Sequence, residues 1–212
     1  MVESLRIDIA GESMQLLADR ALYWPRKQRL LIADLHLGKG DTFRAAGIPV
    51  PTGGTTHDLR RVDALLQATG AQALWILGDF LHARRHPAVD EAWRALRDAH
   101  GKVAFGVVPG NHDRALDAGI AGVDVIAEDT VEPPFVFRHA PPQDAEANHH
   151  VICGHVHPVL RLPGVGRQPV FWLQPGMTVL PAFSAFTGGH AVRRTPGTGL
   201  VACNGSLLLQ LQ

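Results

Sequence analysis

Three short apolar runs, separated by two helical patterns, constrain this chain more than any other feature. The runs are Leu30–Ala33, "ALWIL" at 73–77 and "VAFGVV" at 103–108. Short, continuous apolar stretches of this kind read as strands buried on both faces. Between the first two runs, Leu59, Val62, Leu65 and Leu66 recur at helical spacing. Thr55 with Asp58 reads as a capping box for that helix, and Gly70 as its C-terminal cap. Between the second and third runs, Val89, Ala92, Trp93 and Leu96 form another apolar stripe, and Gly101 follows it. The order β-α-β-α-β predicts a parallel sheet with right-handed crossovers. Such sheets carry their working residues at the carboxyl ends of the strands.

Each run ends in a polar cluster. Asp34 and His36 follow the first, Asp79 the second, and Asn111, His112 and Asp113 the third. In an extended chain residues i and i+2 point to the same side, so Asp34 and His36 are expected to face one point. The second half is strand-rich. "PFVF" (134–137) runs into Arg138 and His139, and "VIC" (151–153) into His155 and His157. "PVFWL" (169–173) and "MTVL" (177–180) follow, and "GLVAC" and "SLLLQL" flank the hairpin signal Asn204-Gly205. "SLRIDIA" and "SMQLL" read as an opening hairpin. No linker separates the halves. The expectation is one domain over 1–212, with two sheets packed face to face and helices outside. The stretch Ala140–His150 reads as a surface loop, with His149 and His150 solvated.

Composition excludes several classes. With 46% hydrophobic and 19% charged residues, disorder is not expected. No apolar run reaches the ~18 residues of a membrane span, and the first residues hold no signal-peptide core. The expectation is a cytoplasmic protein with no membrane contact. Two cysteines, Cys153 and Cys203, are too few for a disulfide framework and read as reduced and buried. Formal net charge is zero, so any nucleic-acid contact must come from a local patch.

The strand-end residues Asp34, His36, Asp79, Asn111, His139, His155 and His157 are all oxygen or nitrogen donors. Seven exceed what one divalent ion takes from protein and suit two ions sharing a carboxylate. Imidazole and carboxylate together favour Mn, Fe, Zn or Co over Ca or Mg.

The ordered motifs "ADLH", "GD", "GNHD", a later His, and "GHVH" resemble the calcineurin-like binuclear metallophosphoesterase superfamily. The resemblance implies an α/β fold, a four-layer α/β/β/α sandwich of two mixed sheets. It implies one metal on Asp34, His36, Asp79 and His157, and a second on Asp79, Asn111, His139 and His155, with Asp79 as bridge. It further implies a hydroxide between the ions as nucleophile. His112 would stabilise charge or protonate the leaving oxygen, and Asp113 would orient His112. One departure stands out: many members have GDxxD, whereas this chain has "GDFLH", with His82 in the last place. His82 is expected to orient a ligand or to cap the strand end.

A narrower resemblance lies in "ADLHLGKGDTFRAAGIPVPTGGT", "LGDFLHARR" and "LPAFSAFTGG". These are similar to the PdeM subfamily, the ligase-associated DNA damage response endonucleases. That implies a manganese-dependent phosphodiesterase cutting single-stranded or looped DNA in repair. Its functional associates would be an ATP-dependent DNA ligase, a Lhr-like helicase and a second nuclease. Lys39 and Arg44 are the first candidates for contacts to the DNA backbone, with His82, Arg84 and Arg85 behind them. Arg60-Arg61 and Arg193-Arg194 read as solvated charges, and His57, His86 and His100 as surface residues. Trp75 and Trp93 read as core, and Trp24 and Trp172 as core or a base-stacking surface. Two other functions stand beside this one: the same chemistry on a small nucleotide or other small phosphoester, and a non-catalytic scaffold of the same fold. No ligand is missing, which speaks against the scaffold.

Overall fold

The structure, a computed structural model, describes residues 2–83, 85–143 and 148–211. The first sheet opens with an antiparallel meander: β1 (Ser4–Ile9), β2 (Glu12–Leu17) and β3 (Ala21–Trp24). β3 pairs antiparallel with β4 (Arg29–Ala33). From there β5 (Ala73–Leu77), β6 (Ala104–Val108) and β7 (Asp124–Val125) add in parallel, in the order β1 to β7 across the sheet. The expected β-α-β-α-β unit is therefore the parallel half of a longer mixed sheet. Its crossovers are α2 (Gly54–Thr69) and α3 (Pro87–Ala99); a short α1 (Lys39–Ala45) precedes them and α4 (Ala118–Ala121) follows.

The second sheet holds β8 (Thr130–Glu132), β9 (Phe135–Phe137), β10 (His150–Cys153), β11 (Pro158–Leu162) and β12 (Gly166–Gln174). It continues with β13 (Met177–Val179), β14 (His190–Ala191), β15 (Gly199–Cys203) and β16 (Leu208–Leu211). Its order is β14-β11-β12-β13-β10-β9-β8, with β15 paired to β12 and β16 to β15. The chain thus adopts the expected α/β fold of two mixed sheets face to face.

Strand periodicity explains why β4 shows no polar alternation. Leu30 and Ile32 face the helices, where they meet Leu59, Val62 and Leu65 of α2. Leu31 and Ala33 face the other way, into an inter-sheet core with Phe135, Phe137, Ile152, Phe171 and Val201. Both faces are covered, so every side chain from Leu30 to Ala33 is apolar, and only Arg29 at the strand's start is charged. Each fully buried Leu contributes about 1.5–3 kcal/mol. Trp24, 0% exposed, belongs to this inter-sheet core, edge-on to Phe135 with ring centroids 4.9 Å apart, and so offers no stacking surface for a base. Every described helix precedes Gly122, and α2 and α3 cover the first sheet. Within the second sheet, Val136, Val151, Cys153 and Val179 form a separate small cluster with Val156, Trp172 and Met177 packed against it.

Several local expectations are corrected. The capping box does not form: Gly53, with φ 87°, is the N-cap of α2. Thr55 Oγ1 instead accepts from the Gly38 N–H at 3.2 Å, and Asp58 turns to a distant loop. α1 was hidden because it buries no side chain and so carries no apolar stripe. His150 is not a loop residue but opens β10, half-buried, with Nε2 2.9 Å from Thr178 Oγ1. The last hairpin pairs Cys203 with Leu208, so its loop is four residues long rather than a two-residue turn. Asn204 Oδ1 closes that loop by accepting from the N–H groups of Ser206 and Leu207. No helix of the described residues is long and apolar enough to cross a membrane.

Candidate metal centre

The candidate ligands follow the carboxyl ends of β4, β5, β6, β9 and β10. Their backbone is unusual. Asp34, His36, Asp79, His155 and His157 have φ of 54°, 48°, 48°, 68° and 50°, in the left-handed region. Few non-glycine residues adopt it, although Asp and His do so more than most. Asp34 and His36 therefore do not converge through extended geometry. They converge because tight left-handed turns fold the chain at each strand end. Hydrogen bonds hold these turns: Asp34 N–H to Gly78 O at 3.1 Å, His36 N–H to Asp79 O at 2.8 Å, and Leu37 N–H to Phe80 O at 2.9 Å. The His155 N–H donates to Asp34 Oδ2 at 2.9 Å, tying the two sheets at the site. Two glycines leave the needed space. A Cβ on Gly78 would lie 1.8 Å from His139 Nδ1, and one on Gly154 would lie 2.7 Å from Asp34 Oδ2.

Two clusters result, each with ligand atoms within 4.8 Å of one another: Asp34, His36 and His157, and Asp79, His139 and His155. In the first, His36 Nε2 is 3.4 Å from His157 Nε2, which is 3.4 Å from Asp34 Oδ1. In the second, His139 Nε2 is 2.9 Å from His155 Nδ1 and 3.0 Å from Asn111 Oδ1. Asp79 reaches both, with Oδ2 3.8 Å from His36 Nε2 and Oδ1 3.6 Å from His139 Nε2. Burial pushes the His36 imidazole down to about 2, aided by the Lys39 ammonium, and lowers His155 as well. Both rings are thereby neutral, the form a metal ligand needs. Neutral ring nitrogens converging on buried carboxylates fit a pair of divalent cations, with Asp79 between them.

His112 lies beside this pair. Its N–H donates to Asp79 Oδ1 at 2.9 Å. Its Nδ1 is 2.9 Å from the main-chain oxygen of His82, so Nδ1 carries the proton and Nε2 is left free. The His82 ring stacks on His112, centroids 5.2 Å apart and planes 17° apart. The His82 Nδ1 is buried without a hydrogen-bond partner, so its side chain caps nothing through that atom, and its carbonyl accepts from His112 Nδ1. Burial pushes its imidazole down to about 4. The expected hydrogen bond from Asp113 to His112 is not formed. The Asp113 carboxylate accepts from the N–H groups of Phe80, Leu81 and Gly110 at 3.2, 2.8 and 2.8 Å. It fastens the loop after Asp79 to the loop carrying Asn111. Burial outweighs those three donors and raises its pKa.

The basic candidates are scattered. Lys39 is half-buried and lines a cavity of about 210 Å³ with His36, Gly53, Thr55, His57 and Asp58. Burial pulls its ammonium below the usual lysine range. The Arg44 guanidinium is taken up by Asp41 at 2.5 Å and Pro51 O at 2.7 Å. Arg85 pairs with Asp90 at 2.8 Å. Arg84 lies outside the described residues.

Sequence reasoning missed the brace behind the site. Arg61 is not a solvated charge: it donates to Asp19 at 2.7 Å, Asp58 at 2.9 Å and Phe183 O at 2.6 Å, and lies over the Phe183 ring. Asp58 also accepts from the Ala185 N–H at 3.1 Å. Phe183 N–H reaches Ala33 O at 2.8 Å and Ser184 N–H reaches Asp34 O at 3.3 Å. The segment "LPAFSAFTGG" is thus strapped along the strand end that carries Asp34. Its own motif was visible in the sequence; its partners, more than a hundred residues away, were not.

A scaffold of two face-to-face sheets, offering imidazoles and carboxylates to two adjoining cation sites, is that of a binuclear metallohydrolase. Comparison with solved structures narrows the class. The Pseudomonas putida nuclease MPE is 35% identical, and the match covers 99% of this chain and 100% of that one with a TM-score of 0.86. The chain belongs to the metallophosphoesterase superfamily. More distant are Yfce, a phosphoesterase from E. coli (19% identity, 85% and 90% covered, TM-score 0.48), and AQ665 from Aquifex aeolicus (19%, 65% and 81%, 0.43). No protein-family model matches the chain, and no curated protein matches it.

Proposed function

We propose that the protein is a metal-dependent phosphodiesterase that cuts DNA within the strand, an endonuclease of the PdeM type. The observation that carries this is the pair of adjoining clusters with Asp79 between them and His112 beside them, in a chain 35% identical end to end to a nuclease. Asp34, His36, Asp79 and His157 would hold one cation, and Asp79, Asn111, His139 and His155 the other. Manganese is the proposed metal. Bound there, such ions lower the pKa of a water and clamp the attacking and leaving oxygens of a displacement.

The chain's own residues supply the rest. His112 has spent Nδ1 on His82 O, so Nε2 is the end that meets the phosphate and the leaving oxygen. Lys39 offers an ammonium on the His36 side of the centre for a backbone phosphate. Arg44 and Arg85 would have to leave Asp41 and Asp90 to do the same, which makes Lys39 the stronger candidate. Asn111 and His155 are exposed, so the centre opens to a chain lying across it. Single-stranded or looped DNA is the proposed substrate and repair the proposed setting. A DNA ligase, a Lhr-like helicase and a second nuclease are the proposed associates.

The test is closed circular single-stranded DNA with manganese. The expected result is conversion of circles to linear strands. Intact circles from a protein that still hydrolyses small phosphoesters would replace DNA by a small substrate. No manganese-stimulated hydrolysis of any phosphoester, and no transition metal after growth, would leave only the scaffold.

A further inference from the structure

A second cavity, of about 250 Å³, opens beside His157. Arg20, Arg167, Thr187, Gly188 and Gly189 line it, and no carboxylate does. Arg20 sits at the turn between β2 and β3, with φ 62°, a left-handed conformation that arginine rarely takes. That turn sends its side chain across to the 182–189 segment, where Nη1 donates to Ser184 O at 2.9 Å. Among the described residues no carboxylate pairs with Arg20, and its Nε is buried without a partner. Burial lowers its pKa and the neighbouring Arg61 adds to this, while Asp58 and Asp19, acting without direct contact, oppose it. A half-buried cation with no carboxylate in direct contact favours an anion beside it. Arg167 reaches the same cavity, its Nη2 donating to Gly189 O at 2.8 Å. The main-chain N–H groups of Thr187, Gly188 and Gly189 meet no protein acceptor among the described residues. Gly189 must be glycine, because a Cβ there would lie 2.3 Å from Val159 Cγ1.

We propose that this cavity binds a backbone phosphodiester flanking the one that is cut, held by Arg20, Arg167 and the free N–H groups of residues 187–189. The inference rests on the DNA-cutting function proposed above. His157 connects the two places: it lines the cavity, and its Nε2 lies 3.4 Å from Asp34 Oδ1. The neighbouring phosphate of a strand crossing the metal centre is then within reach of the arginines. A small diester has no such phosphate. The cavity would therefore set the preference for a polynucleotide over a small ester.

The test uses the manganese-loaded protein, with Arg20→Gln and Arg167→Gln. Three substrates are compared: circular single-stranded DNA, a 5′-phosphorylated linear strand, and a small aryl phosphodiester. Losing one charge-assisted phosphate contact lowers kcat/KM about tenfold. Each variant should lose at least that much more on the circle than on the small diester. The slope of log rate against log salt should become shallower by about 0.7. Arg167→Gln guards against misfolding, since the Arg167 side chain is exposed and among the described residues bonds only to Gly189 O. Equal losses on circle and small diester, or none on the circle, overturn the proposal. So does a loss confined to the phosphorylated end, which would make the ligand a terminal monoester. Failure of the underlying function looks different: the unmodified protein itself would leave circles intact while hydrolysing the small diester.

Discussion

Asp58→Ala tests whether the metal centre is braced from behind. Asp58 is 3% exposed and accepts from Arg61 Nη1 at 2.9 Å and from the Ala185 N–H at 3.1 Å. Truncating one partner of a buried ion pair costs about 3–5 kcal/mol, because the other charge stays buried. Here the cost is smaller on two counts. Arg61 keeps Asp19 at 2.7 Å, and Ala185 is exposed, so water replaces its acceptor. The expected destabilisation is about 2–3 kcal/mol, a fall in Tm of roughly 5–10 °C for a chain of this size. Urea unfolding of the metal-free protein measures it. Asp58→Ala combined with Arg61→Met should cost less than the sum of the single changes, by about 1–3 kcal/mol, because the stranded charge is gone. A cost below about 1 kcal/mol for Asp58→Ala, or strict additivity in the pair, would refute the brace.

Four further outcomes are expected. Asn111→Ala should lower manganese content toward one ion per chain when metal is limiting, as elemental analysis would show. His112→Ala should keep both ions and slow turnover, most for a poor alkoxide leaving group; equal slowing with aryl and alkyl esters would argue against proton donation by Nε2. Burial holds His36, His82 and His150 below the ordinary value near 6.5. The folded chain then binds fewer protons than the unfolded one, so metal-free stability is full above about pH 6.5 and falls as pH drops below it; a Tm that is flat or rises from pH 7 to 5 would contradict this, and His150→Gln should flatten the slope. Burial raises both thiols, Cys203 to about 12, so neither cysteine should react with a thiol reagent at pH 8 until the protein is unfolded.

Much of the site was legible because its ligands sit at strand ends, and strand ends are written locally. Leu30–Ala33, 73–77 and 103–108 announce themselves by short apolar runs, and the residues just past them are the candidate ligands. The resemblance in "GNHD" and "GHVH" then ordered those ends into two cation sites. What was not legible is everything set by contact between distant segments. Asp58 read as a helix cap because four local residues fit that pattern, yet its partner Ala185 is 127 residues away. Arg61 read as solvated because the i+1 neighbour of a helical arginine says nothing about burial, whereas Asp19 and Phe183 decide it. Arg20 carried no signal at all: one arginine in a turn is unremarkable until a loop 162 residues later folds over it.

The left-handed ligands show why these distant contacts are needed. Five residues with positive φ at one site cost on the order of 1–3 kcal/mol each, together comparable with the whole stability of a domain, about 5–15 kcal/mol. Local sequence preference cannot supply that, since Asp and His only tolerate the conformation. The compensation is visible in the hydrogen bonds at three of the five: Gly78 O and Asp79 O accept from the N–H groups of Asp34 and His36, and Asp34 Oδ2 accepts from that of His155. Each of those bonds joins one strand end to another, so no turn is stable unless its neighbours are in place. The strap of residues 182–186, fixed by Arg20, Asp58 and Arg61, closes the same set from the side of Ala33 and Asp34. The ligand geometry is therefore a property of the assembled strand ends rather than of any one motif. That is why "ADLH" pointed to Asp34 and His36 as candidate ligands and yet foretold the wrong backbone for them.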